Sequence, residues 1–387
     1  MNQSTSILGL DVSKSSVTYC LLSEIPDDPK KFASRERPRK LEATEAGRAE
    51  LLSLDFEFAV LEPTGVYSRI WRHWLREAGR EYRLVGHWEL KSYREGWKLA
   101  SKTDKLDSVA LALYGLERRD RPGAFLVERD STLSDLVLLH SHLNRQKNGF
   151  QNNLRQRLTY QAPELAGRDW KRQWGRGVPG ALRAIAGEPT PKWERELQQS
   201  VGAGLGFDSA ALARILIAIE AEEIAVEQAI EAELAKPQYE RYRRAAADCG
   251  FSLWLTANLV AAVYPFEQFL SDGRRRIVHR YTATNNVRVR KDESLRAFKL
   301  ACGLGLVWVQ SGDWSGWMAG GNSGTRQALR VSTAAAYLND KKAQKTGESG
   351  DPVLGLIRHK YDNRGLLKVS RRWVERYYKA LVAEFGA

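Results

Sequence analysis

The chain has 387 residues, with 60 Lys and Arg against 47 Asp and Glu and a formal net charge of +13; that length exceeds what one hydrophobic core supports, so two or three domains are expected. With 43% hydrophobic and 28% charged residues, the composition excludes a wholly disordered, collagen-like or disulfide-scaffold chain. Cys20, Cys249 and Cys302 stand in no metal-ligand spacing, and no apolar run nears the length of a membrane span, so a reduced protein without zinc module, signal peptide or membrane segment is expected.

Residues 5–22 read as a hairpin: the apolar run Ile7-Leu8-Gly9-Leu10, a short polar turn, and the β-rich run Val17 to Leu22. A basic, Pro-containing stretch over 29–40 is followed by a helix over 42–54 and a strand over 56–61 that ends at Glu62-Pro63-Thr64-Gly65. Ile70, Trp71, Trp74 and Leu75 give helical spacing over 67–78, with Gly79 as C-cap. One more strand over 82–85 leads into a helix-rich stretch over 89–117. Strands first, then alternating strands and helices, predict a mixed α/β sheet.

From about residue 131 the pattern changes. Leu136, Leu139, Leu143, Phe150, Leu154 and Leu158 recur at helical spacing, and a second long helix is expected over 209–235. In it Leu212, Ile215, Ile219, Val226, Ile230 and Leu234 are expected to face inward. Six glutamates (220, 222, 223, 227, 231, 233) are expected on a solvated face. The two helices predict an antiparallel coiled-coil hairpin suited to oligomerisation. The stretch 167–193 between them, rich in Arg, Trp, Gly and Pro, reads as loop or contact surface; Trp170, Lys171, Arg172, Trp174 and Arg176 are candidates for RNA. The domains expected are 1–128, catalytic; 129–236, coiled-coil; 237–345, mainly α; and 346–387, a basic aromatic tail.

The positive charge is concentrated. The segment 271–291 holds seven Arg and Lys against one acid, and 358–379 holds eight against two, interleaved with Tyr361, Trp373, Tyr377 and Tyr378. Arg274, Arg275, Arg276, Arg280, Arg288 and Arg290, with Arg371 and Arg372 and the flanking Arg358 and Lys360, are therefore candidates for binding a nucleic-acid backbone.

Four acids stand out by context. Asp11 ends the first strand and Glu62 ends another, so neighbouring strands would bring both to one sheet edge. Asp104 and Asp107 sit three apart at the opening of a helix and share its face. Each also suits a turn or a helix N-terminus taken singly. Converging carboxylates raise one another's pKa unless a cation compensates them, and two hard divalent cations with oxygen ligands suit in-line phosphoryl displacement.

Gly9-Leu-Asp11-Val-Ser-Lys14, Leu61-Glu62-Pro-Thr-Gly65-Val-Tyr67 and Lys102-Thr-Asp104-Lys-Leu-Asp107-Ser-Val-Ala110 resemble the three blocks of the DEDD-type insertion-sequence transposases, relatives of the Piv DNA invertase and of the bridge-RNA-guided recombinases. The resemblance implies an N-terminal α/β ribonuclease-H-like (RuvC-like) domain, a helical coiled-coil middle and a mainly α C-terminal transposase domain. It implies that Asp11, Glu62, Asp104 and Asp107 bind Mg²⁺ or Mn²⁺. A C-terminal block, Cys302-Gly-Leu-Gly-Leu, Gln310-Ser311-Gly312 and Gly320-Gly-Asn322-Ser-Gly-Thr-Arg326-Gln-Ala-Leu329, is similar to the family's transposase domain. It implies Ser311 as nucleophile, with Ser315 and Ser323 as fallbacks, and adds Arg326 to the nucleic-acid candidates. The implied partners are donor and target DNA, a non-coding guide RNA and further copies of the chain, as dimer or tetramer, in a prokaryotic cytoplasm at the nucleoid. The segment 271–291 departs from the family pattern. A water-using RuvC-like nuclease, a sugar-kinase or actin-like ATPase and an inactive RNA-binding descendant are the competing readings.

Overall fold

The structure is a computed structural model. It describes all residues except 1–5, 36–38, 98, 100–102, 127, 129–131, 169–173, 282–286, 312–313 and 346–351, and the side chains of 33, 309, 311 and 314. Residues 1–128 form one compact unit and 129–387 a second.

In the first unit the hairpin is formed by β1 (Ile7–Val12) and β2 (Ser16–Leu22). Then come α1 (Pro29–Arg35), β3 (Arg39–Glu42), α2 (Glu45–Ser53), β4 (Phe58–Leu61), α3 (Tyr67–Glu77), β5 (Glu81–Leu84), α4 (His87–Gly96) and α5 (Asp104–Glu117). The sheet order is β3-β2-β1-β4-β5. Pairing is antiparallel from β3 to β1 and parallel from β1 through β4 to β5, the mixed sheet expected of a ribonuclease-H-like domain. Residue alternation gives the sheet two apolar faces. Leu8, Leu10, Ala59 and Leu61 pack on Trp71 and Leu75 of α3, whereas Ile7, Phe58 and Val60 pack on α5. The latter helix is buried from Asp107 to Gly115. It reaches the sheet so closely because β1 offers Gly9: a Cβ there would lie 2.1 Å from the Ser108 carbonyl oxygen, so any side chain would push the helix away.

The second unit contains α6 (Thr132–Gln161), α7 (Pro163–Ala166), α8 (Gly180–Ile185), α9 (Pro191–Gln198), α10 (Phe207–Leu234), α11 (Glu240–Asp248) and α12 (Leu253–Val263). Two small ribbons follow, β6 (Leu270–Ser271) with β7 (Arg274–Arg275) and β8 (Ile277–Tyr281) with β9 (Arg288–Asp292). Next are α13 (Glu293–Ala301), the ribbon β10 (Gly305–Ser311) with β11 (Trp314–Gly320), α14 (Ser323–Lys345) and α15 (Asn363–Phe385). No helix among the described residues is long and apolar enough to cross a membrane. The three cysteines are buried and form no disulfide.

Helices α6 and α10 lie antiparallel, because Arg157 pairs with Asp208, Lys147 with Glu220 and His140 with Glu227, at 2.8, 3.4 and 3.5 Å. The glutamate face is where expectation and structure part. Glu220 and Glu223 have no exposed surface and Glu227 and Glu233 almost none, while Ile215, expected inside, is 42% exposed. Lys147, itself buried, lies between Glu220 and Glu223 and contacts both. Helical period defines a polar stripe but not what covers it, and here the cover is a cation on the partner helix. His140 clusters with Trp254 and Trp174, with ring centroids at 4.4 and 5.5 Å and the two indoles 5.8 Å apart. Burial pushes its imidazole below the ordinary range, against the pull of Glu223 and Glu227.

Two further stretches depart from expectation. Part of the presumed loop over 167–193 folds as α8, whose Ala181, Leu182 and Ile185 join the core under α6 and α10. The presumed tail supplies α15, with Val374, Tyr377, Tyr378 and Leu381 inside the largest core of the unit. Those two tyrosines are therefore part of the core and not of a basic surface.

Candidate active site

β1 and β4 run parallel with Leu10 opposite Leu61, so the next residues, Asp11 and Glu62, leave the same edge of the sheet from adjacent strands. Asp11 shares the strand parity of Ile7 and Gly9, which turns it toward the α5 side. The first turn of α5 stands there. Thr103 caps it, its hydroxyl accepting from the Leu106 amide at 3.3 Å, so neither aspartate serves as the cap. Asp107 is 6% exposed; Asp104, one turn earlier on the same face, is open to solvent. Glu62 and Asp107 line one cavity of about 320 Å³.

The same cavity is lined by His87, Lys91 and Arg94 of α4. Arg94 pairs with Asp107 at 2.7 Å, both side chains being largely buried. His87 Nδ1 lies 3.1 Å from a Glu62 carboxylate oxygen. These three basic residues were not among the sequence candidates. Their spacing, i, i+4 and i+7, puts them on one helical stripe and is the signal that could have marked them.

The donor set suits a hard divalent cation: carboxylates only, at least one of them buried, at the end of a rigid sheet. Among the described residues, however, no three His, Cys, Asp or Glu side chains converge closely enough to hold one. Two of the four carboxylates instead face basic residues of α4, Asp107 an arginine and Glu62 a histidine.

Ser311 belongs to the second unit. It ends β10, its backbone paired with Trp314, and its side chain lies outside the described residues, as do Gly312 and Asp313. Gly321, with φ +84°, anchors this ribbon to the core, since a Cβ there would collide with the Leu300 carbonyl oxygen. Ser315 on β11 and Ser323 at the start of α14 are both exposed.

The basic candidates separate by their partners. On the β8–β9 ribbon, His279 is opposite Arg290 and Tyr281 opposite Arg288, so these four share one face. All four are exposed, and Arg288 and Arg290 form no ion pair among the described residues. Arg276 and Arg280 are both held by Glu293, at 3.1 and 2.7 Å. Arg275 lies 3.9 Å from Asp292, and Arg274 is exposed. Arg326 is half-buried and donates to the Gly303 carbonyl at 3.1 Å, a clamp within the core. Arg371 is half-buried and Arg372 exposed. Of the RNA candidates, Trp170, Lys171 and Arg172 lie outside the described residues, and Trp174 donates its indole N–H to Glu231 at 2.8 Å.

Residues 8–163 match the sequence model of a family described as transposase, of the DEDD type named for IS110. The match spans Asp11, Glu62, Asp104 and Asp107 and stops well short of Ser311. No curated protein matches the chain.

Proposed function

We propose, from the premise that residues 8–163 are an IS110-type DEDD transposase domain, that this protein cleaves and exchanges DNA strands for a mobile element through a serine nucleophile. The observation that carries the reading is the junction of β1, β4 and α5. There the Gly9 contact sets α5 directly on β1, and Glu62 and Asp107 share a cavity next to the strand end that bears Asp11. Asp11, Glu62, Asp104 and Asp107 would hold Mg²⁺ or Mn²⁺, which when bound supplies Lewis-acid polarisation of the scissile phosphate.

The remaining steps fall to residues of the chain. Lys91 and Arg94 stand beside the acids and suit the phosphate oxygens. The Ser311 hydroxyl attacks phosphorus and gives up its proton. The bond to the 3′ oxygen breaks, and that oxygen takes up a proton. The products are a phosphoserine linkage and a free 3′-hydroxyl. A 3′-hydroxyl from the second duplex then attacks the phosphoserine, which restores Ser311 and joins the exchanged strands. Further copies of the chain and a guide RNA complete the machinery in this reading.

The decisive measurement is covalent trapping of DNA on the protein in denaturing gels. The wild-type chain is expected to give an adduct that Ser311→Ala abolishes and Ser315→Ala retains. Cleavage that persists in Ser311→Ala but stops in Asp11→Asn would establish the second reading, a nuclease that uses water. That reading is favoured by one fact: the family match contains all four acids without Ser311.

The β8–β9 ribbon is assigned to duplex binding, since a two-stranded ribbon fits the major groove of B-DNA. The double variant Arg288→Ala/Arg290→Ala is expected to reduce the slope of log affinity against log salt by about two, roughly one per lost phosphate contact. Arg276→Gln/Arg280→Gln, whose guanidiniums are held by Glu293, is expected to change it by less than half as much. Filter binding over a salt series reads both. Equal effects of the two pairs would refute the assignment.

A further inference from the structure

We infer that Arg94 is a resident counter-ion, which occupies Asp107 until a divalent cation replaces it and is then released to hold the scissile phosphate. The inference rests on the metal-binding reading above and adds to it a residue, on α4, that lies outside the acidic tetrad.

The geometry is that of two carboxylates, each facing a basic side chain of α4 across one cavity. Arg94 meets Asp107 at 2.7 Å, with 13% and 9% of the two side chains exposed. His87 meets Glu62 at 3.1 Å. Arg94 and His87 project from the same side of α4, with Lys91 between them in sequence, and all five residues line the cavity. A buried carboxylate requires compensation, and at Asp107 the guanidinium provides it.

The Asp107 oxygen that faces Arg94 at 2.7 Å is one a cation would also need, so the two compete for Asp107. A guanidinium does not lose its proton at any ordinary pH, hence the exchange must proceed by movement of the side chain. In this structure Asp107 is therefore held in an ion pair and not presented as an open ligand. Once displaced, the planar fork of Arg94 matches two phosphate oxygens and already lies in the cavity where the phosphate must enter. Arg94 is thus a positioning residue with opposite effects on two steps, opposing metal entry and favouring substrate.

The opposition gives a signature that plain scaffolding lacks. Mn²⁺ is titrated calorimetrically into the full-length wild-type chain and into Arg94→Gln, and thermal unfolding is recorded with and without the ion. Arg94→Gln is expected to bind Mn²⁺ roughly tenfold more tightly, within the usual range for coupled sites. It is expected to unfold at lower temperature than wild type without Mn²⁺, to gain more from the ion, and to cleave DNA more slowly. Arg94→Lys, which keeps the charge, is expected to lie between the two and covers the case in which Arg94→Gln does not fold. Unchanged or weaker Mn²⁺ binding in both variants, with normal binding in wild type, overturns the inference alone. If wild type, Arg94→Gln and Arg94→Lys all fail to bind Mn²⁺, the metal-site reading itself falls.

Discussion

Asp11→Asn is expected to reduce strand cleavage by about 10³-fold or more, beyond what loss of a single transition-state hydrogen bond costs. It is also expected to leave the chain folded, with a cooperative thermal melt, because asparagine matches aspartate in size. The two expectations belong together. Asp11 is half-buried near the end of β1, and asparagine keeps its shape, so the substitution removes charge where the proposed chemistry requires it while the strand keeps its packing. Asp107→Asn is the poorer test, because it also takes from Arg94 its carboxylate partner. Cleavage of a labelled duplex and a thermal melt on the same preparation check both halves. Near-normal cleavage by Asp11→Asn would remove the acidic tetrad from the mechanism.

Lys147→Met is expected to cost about 3–5 kcal/mol, the usual penalty for breaking a buried ion pair from one side. Glu220 and Glu223 are fully buried, and each contacts the ammonium. Methionine fills much of the same volume and leaves both carboxylates without that compensation. A triple change, Lys147→Met with Glu220→Leu and Glu223→Leu, is expected to return stability to the wild-type level or above it, because a well-packed apolar cluster commonly equals a buried ionic one. Urea titration followed by circular dichroism distinguishes the cases. A single substitution as stable as wild type would mean that Lys147 is not what holds these glutamates in the core.

The parts of the fold legible in the sequence are those with a local signal. β1, β2 and β4 carry apolar runs bounded by polar turns, and α3 carries its four apolar positions followed by Gly79, which does adopt positive φ. β3 was not legible. It has four residues, of which only Leu41 is buried, and its pairing with β2 supplies the order that its own sequence lacks. The α10 glutamates misled for a related reason: Lys147 stands 76 residues from Glu223, and nothing local announces it. α15 misled because its arginines and lysines obscured the spacing of Leu366, Val369, Val374, Tyr377 and Leu381.

The site divides along the same line. The acids could be found because strand ends and a helix start place them without knowledge of the packing. Arg94 could not be assigned a role, since its importance comes from an ion pair between two helices. The arginines of the ribbon were visible as charge, but only the strand register separates Arg288 and Arg290 from those tied to Glu293.

The Gly9 contact bears on how this protein can change. One helix provides both the packed centre of the first unit and, in its opening turn, two of the four acids. Its distance from the sheet is set by a hydrogen atom where other residues have a side chain. A site carried on loops can drift in small steps while its scaffold stays fixed, but here the acids and the scaffold share one rigid piece. Under the proposed function, variation in what the protein acts on is therefore expected away from the edge that bears the acids, toward the exposed ribbon and the second unit. The first unit is held to a single geometry.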